Sequence, residues 1–374
     1  MDTVKLPFYA KASLFLIGLY FFITILYIAQ GIILPLVFAV IIAILLHPLV
    51  NFFVRKKINR IVAITFSLVL TVIVIGAFGQ LLFSQARQFS QSWPILVDKF
   101  TEILNNTNQW ASGYFDVSPR KIMAWVSQTK SELINTSGSV IGQTLLSVGN
   151  GVVILMLIPV YVFMILVYEP LLIEFFRTLF GADNRKEVSE IITKIKRVIQ
   201  GYLSGLFIEA VIMAALNSIG LLILGIDYAI LLGIIGALLN IIPYIGGLVA
   251  VALPMMIAIV TKTSAWYAVY VLIIYYIIQL IDNNYIVPKI VASKVKINAL
   301  VSIIVVIAFG ALWGFSGMFL SIPLTAIVKV ICDRIEVLKP LGFLLGDTMP
   351  TNAIFNVKLK KKTTKKPINT PITT

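Results

Sequence analysis

"NIIPYIGG", residues 240–247, interrupts a hydrophobic run: Ile230 to Leu239 precede it, Leu248 to Leu253 follow it, and both flanks would sit in lipid. From Tyr228 to Asn240 the chain has 13 residues. That is about 20 Å of helix, short of the roughly 30 Å hydrocarbon core of a bilayer, so this arm is expected to stop inside the membrane. Pro243 removes a backbone donor, and Gly246 with Gly247 frees the main chain next to Tyr244. Irregular backbone at bilayer depth survives only where protein or a water-filled cavity satisfies it. The break therefore reads as the lining of a pathway.

A second unit behaves similarly. Ala299 to Leu312 is apolar, Trp313-Gly314-Phe315-Ser316-Gly317 breaks it, and the apolar run resumes at Met318. Gly246-Gly247 is followed by six apolar residues and Pro254, while Ser316-Gly317 is followed by Met-Phe-Leu-Ser-Ile and Pro323. Gly/Pro-interrupted hydrophobic segments in corresponding positions of two units point to a transporter binding site. Two re-entrant hairpins are expected; two kinked pairs of ordinary helices are the alternative.

The composition fits this setting. Of 374 residues, 59% are hydrophobic and only 12% charged, with a mean hydropathy of +1.00, which places the chain among polytopic membrane proteins. The fold class is all-α, with about eight hydrophobic helical segments including the two broken units. Apolar windows lie at 12–30, 32–50, 61–83, 148–168, 201–225 and 264–281, plus the units 228–261 and 299–332. One cysteine, Cys332, excludes an intramolecular disulfide and a cysteine metal site, and His47 is the sole histidine; no metal or cofactor is expected. There is no Gly-rich phosphate loop, HExxH or GxSxG, so the chain does not read as an enzyme. A net charge of +14 could suggest nucleic acid, but the basic residues are spread between the hydrophobic segments.

Their placement sets an orientation. The loop with Arg55, Lys56, Lys57 and Arg60 is cytoplasmic by the positive-inside rule, whereas Gln30-Gly31 carries no charge. Residues 1–83 then hold three transmembrane helices with a cytoplasmic amino terminus. Residues 84–147 form a nearly neutral external segment of short amphipathic helices with breaks at Pro94, Gly113, Pro119 and Gly138. A fourth span occupies 148–168, a cytoplasmic amphipathic helix lies in 169–200, the transport core runs from 201 to 340, and 341–374 is a basic, largely disordered cytoplasmic tail.

Polar residues at depth mark the candidate pathway. Glu209 and Asn217 fall near one face of the 201–225 helix, and an ionisable group there is expensive enough that coupling-ion or solute contact is the first reading. A protonated Glu bonded to a neighbouring helix is the structural alternative. Asn240 ends the first arm, Gln279 lies one turn before its helix end, and Asp282, Asn283 and Asn284 follow. These could supply oxygens to a cation or a hydroxyl-rich solute, although a helix cap and interfacial turn would look the same at 282–284. With Gly314 and Gly317 of the second break they complete the candidate set.

Several stretches together resemble the autoinducer-2 exporter family of bacterial permeases, also called PerM-like. They are Gln200-Gly201-Tyr202, Leu224-Gly225-Ile226-Asp227-Tyr228-Ala229 leading into Asn240 to Gly247, Gln279 with Asp282 to Ile290, and Leu312 to Pro323. The resemblance implies an inner-membrane transporter, with export of autoinducer-2 in some members and sodium/proton antiport in others. It departs from the family at Asp282, where Glu is common, and at Ala299, where a proline is usual. The expected partners are a small solute, protons or sodium, and the lipid bilayer. Assembly as a homo-oligomer is compatible with the sequence.

Overall fold

The computed structural model describes residues 7–112, 157–181, 184–241 and 246–348. They form helices α1 (Phe8–Ile28), α2 (Gln30–Arg55) and α3 (Arg60–Ser112), α4 (Leu157–Leu179), and α5 (Arg185–Ile223), α6 (Ala229–Asn240), α7 (Gly246–Thr261) and α8 (Trp266–Ile281). A π-helical stretch, Asp282–Ala292, continues α8 into the short α9 (Ser293–Val295), followed by α10 (Ala299–Cys332) and α11 (Lys339–Leu345). Among the described residues, seven helical stretches are long and apolar enough to cross a membrane, and α6 and α7 supply shorter apolar arms. The chain is an all-α polytopic membrane protein.

Both broken units fold back on themselves. A Cβ placed on Gly225, before α6, would lie 3.3 Å from the Lys262 Nζ that follows α7, so the two ends of that unit are neighbours. In α10, Trp313 (φ −133°) and Gly314 (φ +61°, ψ −141°) leave helical geometry, and the positive φ is one that only glycine adopts without strain. A Cβ on Gly317 would meet the Phe309 carbonyl oxygen at 1.9 Å, and one on Gly310 would meet Met318 Cε at 2.8 Å. In a straight helix residues eight apart are separated by about 12 Å, so the arms of α10 run side by side as a hairpin. Ile297, before α10, pairs with Gly346, beyond α11, which brings the two ends together as well.

Four details differ from the sequence-based expectation. α3 does not stop near residue 83 but continues to Ser112, 53 residues in all, with Pro94 inside it. A proline costs the helix one hydrogen bond and a clash; here the edge-on packing of Phe89 against Tyr228, centroids 5.4 Å apart, and the burial of Val97 offset that loss. The amphipathic helix expected in 169–200 and the span expected at 201–225 join in one continuous 39-residue helix, α5. Gly201 and Gly205, spaced for close helix packing, are contact points there: a Cβ on Gly205 would sit 2.5 Å from the Ile290 carbonyl oxygen. The described part of the fourth span, Leu157–Leu179, runs past the expected end at 168, and 148–156 lie outside the described residues. The start of the expected tail is ordered in α11, because the Asn298 amide donates to the carbonyls of Leu344 at 2.7 Å and Gly346 at 3.0 Å. The remainder of the tail from 349, and the external segment from 113 to 147, lie outside the described residues.

Candidate functional site

Four elements converge on one buried polar point. Glu209 and Asn217 lie two turns apart on α5, Asn240 is the last residue of α6, Gln279 lies near the end of α8, and Asp282 opens the π-helical stretch. The sequence places them there for local reasons. The first arm runs out of helix just after Asn240, so its amide projects from the arm's tip. The π-helical turn after α8 widens the helix where Asp282 must face inward, a geometry frequent at functional sites.

The Asn240 amide Nδ2 donates to Asp282 Oδ2 at 2.9 Å and lies 3.4 Å from Glu209 Oε1. Gln279 Nε2 lies 3.3 Å from both Asp282 Oδ2 and Asn283 Oδ1. Glu209 and Asp282 are only 5% and 1% exposed. Among the described residues no Lys, Arg or His pairs with either carboxylate. Asp282 Oδ1, Asn217 Oδ1 and the Tyr275 hydroxyl are buried without a hydrogen-bond partner among the described residues. Each such orphan costs about 1–3 kcal/mol, which a bound ion, water or solute would recover.

Asn217 and Tyr275, with Met213, Gly236, Asn240 and Gln279, line a small cavity of about 10 Å³, near the minimum for holding one water. Glu209 and Asp282 do not line it and are joined to it through the Asn240 and Gln279 amides. The glycines shape it: a Cβ on Gly236 would lie 3.2 Å from Asn217 Nδ2 and 3.3 Å from the Tyr275 hydroxyl, and one on Gly247 would lie 2.5 Å from Gln279 Oε1.

Of the expected residues, the fold gathers Glu209, Asn217, Asn240, Gly247, Gln279 and Asp282. Gly246 opens α7 beside them. Asn283 serves the cluster through Gln279, whereas Asn284 turns back to donate to the Leu280 carbonyl at 2.8 Å. Gly314 and Gly317 do not line this cavity. They lie at the tip of the second hairpin, where the Trp313 indole donates to the Leu26 carbonyl of α1 at 3.1 Å. Pro243 and Tyr244 lie outside the described residues. Tyr275 was missed by the sequence reading. Its spacing of four and seven residues to Gln279 and Asp282 carried the signal, but one tyrosine in a helix rich in them gives no reason to single it out.

The profile that describes AI-2E family transporters matches residues 15–336. The chain belongs to this family. Among AI-2E relatives, YrrI of Bacillus subtilis (strain 168), named a transport protein, is 26% identical over 313 residues, covering 80% of this chain and 86% of its own. YhhT of Escherichia coli (strain K12), also named a transport protein, is 24% identical over 330 residues, covering 87% and 91%. PerM of the same organism, named a permease, is 26% identical over 218 residues, covering 56% and 60%. As an AI-2E member with this helical architecture, the chain is a multi-pass membrane permease.

Proposed function

We propose that this permease exports a small polar solute across the bacterial inner membrane, both termini cytoplasmic, and that the flux is coupled to a cation or proton at the Glu209/Asn240/Asp282 site. The observation that carries this reading is the pair of buried carboxylates bridged by one amide, with no cationic side chain among the described residues to balance them. Buried charge must be paired or neutralised, and an incoming proton or cation does so only while the site is occupied, which makes occupancy and conformation interdependent. Autoinducer-2 is the solute that the family name suggests. Movement of the hairpin-bearing core against α1–α4 would expose the site alternately to the two sides.

The test is flux in proteoliposomes, with sodium-22, a pH-sensitive dye and labelled autoinducer-2 supplied separately. Glu209→Gln and Asp282→Asn keep the shape and remove the charge; each is expected to abolish coupled flux. Wild-type flux in both variants would overturn the assignment.

A second reading, sodium/proton antiport without an organic cargo, is favoured by the size of the cavity, which admits one water or a dehydrated ion but no solute of sugar size. A channel is disfavoured by the apolar packing of Ile41, Ile199, Tyr202 and Leu206 beside the site. Steady conductance in planar bilayers would restore it.

A further inference from the structure

Away from the carboxylate pair, the structure holds a second charged assembly, partly buried at Glu169 and open to solvent at Arg60. Glu169 on α4 receives side chains from three other helices: His47 Nε2 of α2 at 3.1 Å, Arg60 of α3 at 2.8 Å, and Lys196 of α5 in close contact. Arg60 also donates to the Leu166 carbonyl at 2.9 Å, which fixes it to α4. The Glu169 side chain is 15% exposed, so its partners are held in a medium where removing one leaves a poorly solvated charge.

The contacts divide in a telling way. His47, Arg60 and Glu169 all belong to the first four helices, whereas Lys196 comes from α5, the helix that carries Glu209. Other polar contacts cross the same boundary: Gln200 Nε2 donates to the Ile44 carbonyl of α2 at 2.7 Å, and farther from Glu209 the Arg177 guanidinium of α4 donates to Ser189 Oγ at 2.9 Å and Arg185 of α5 pairs with Glu174 at 2.9 Å. Lys196 precedes Glu209 by about 20 Å of helix, and the interval is filled by Ile199, Tyr202, Leu203 and Leu206 packed with Ile41 of α2. Water can reach Glu209 from this end only if α5 separates from α2 and α4. Among the described residues, Lys196–Glu169 is the ion pair of that seam nearest to Glu209, with Arg185–Glu174 farther out.

We propose that Glu169 and Lys196 form a latch that holds the α5-bearing core to α2–α4 and closes the Glu209 site on the side of the basic 56–59 loop. The latch rests on the alternating-access reading, but its test does not depend on what is carried. Met213→Cys, in a Cys332→Ser background, places a thiol on the wall of the cavity. Its labelling by a membrane-impermeant maleimide added from the 56–59 side reports opening.

Loss of one partner in Glu169→Gln or Lys196→Gln is expected to raise that labelling rate about tenfold, while labelling from the other side does not rise. The reverse measurement uses Glu169→Cys with Lys196→Cys, joined by a short bifunctional thiosulfonate before Met213→Cys is unmasked from a block that is removed without a reductant. Linked protein is expected to label at least about tenfold more slowly than the same protein after reduction of the link. Rates unchanged by both the substitutions and the link would overturn the latch, even if the flux variants at Glu209 and Asp282 behave as proposed. Faster labelling on breaking and slower labelling on linking would sustain it, even if no flux is found.

Discussion

The side-chain amide of Asn240 donates to the carboxylate of Asp282 across 2.9 Å, joining the tip of the first hairpin to the turn that follows α8. The same nitrogen lies 3.4 Å from Glu209. One neutral donor therefore holds two acids in contact range, and substitutions at this position should affect both.

Asn240→Ala leaves Asp282 Oδ2 with the longer Gln279 bond alone. The expected result is a loss of about 1–3 kcal/mol of stability and at least a tenfold fall in ion-coupled flux. Thermal melting in detergent and proteoliposome flux measure the two. Asn240→Asp adds a third acid to the site and is expected to be the more damaging of the two variants.

The glycines that admit close packing should separate into two classes. Gly205→Ala drives a Cβ to 2.5 Å from the Ile290 main-chain oxygen, and Gly233→Ala drives one to 2.2 Å from Ser218 Oγ and 2.6 Å from the Ser218 nitrogen. Backbone cannot yield cheaply, so each is expected to lower stability by about 1–3 kcal/mol. Gly247→Ala meets the end of the Gln279 side chain instead. It should melt within a few degrees of the wild type and still lose flux, because the displaced Gln279 no longer holds Asp282. Equal melting losses for all three would refute the distinction.

Trp313→Phe keeps the ring at the second hairpin tip but deletes the donor to the Leu26 carbonyl. A cost of about 1 kcal/mol is expected. α1 should loosen first, since among the described residues its own side chains bury nothing, and limited proteolysis near residue 29 would reveal it.

Asn298 has two tasks: its Oδ1 accepts from the Val301 amide at 2.9 Å, capping α10, while its Nδ2 donates to the Leu344 and Gly346 carbonyls. Asn298→Asp retains the cap and loses the donors. It is expected to release α11 while α10 stays intact, seen as faster hydrogen exchange confined to 339–346. Exchange unchanged in that segment would show that the cap alone matters.

The broken units were legible because the bilayer is a severe constraint: Pro and Gly inside an apolar run, with too few residues to span, leave little but a hairpin tip. Glu209 and Asp282 were legible for a related reason, since acids are rare at that depth and each demands an explanation. The length of α3 past Pro94 was not legible, because a proline reads locally as a stop and only the packing of Phe89 on Tyr228 shows that the helix continues. The fusion of two expected elements into α5 was hidden similarly, since the change from charged to apolar residues near 200 reads as the end of one element and start of another, although a single helix can pass from one setting to the other.

The sequence by itself determined that this chain is a membrane-spanning helical protein with polar groups at depth, because hydropathy and the scarcity of charge follow from composition and order alone. Which polar groups meet is a different matter. The second glycine break was expected beside the acids and sits instead against α1, while Tyr275 joined them unannounced. Those outcomes depend on how hairpins and helices pack across intervals of thirty to seventy residues, such as Asn240 to Glu209 and to Asp282. Side-chain contacts over such distances are set by the shapes that fill the space between, and only the folded arrangement supplies those.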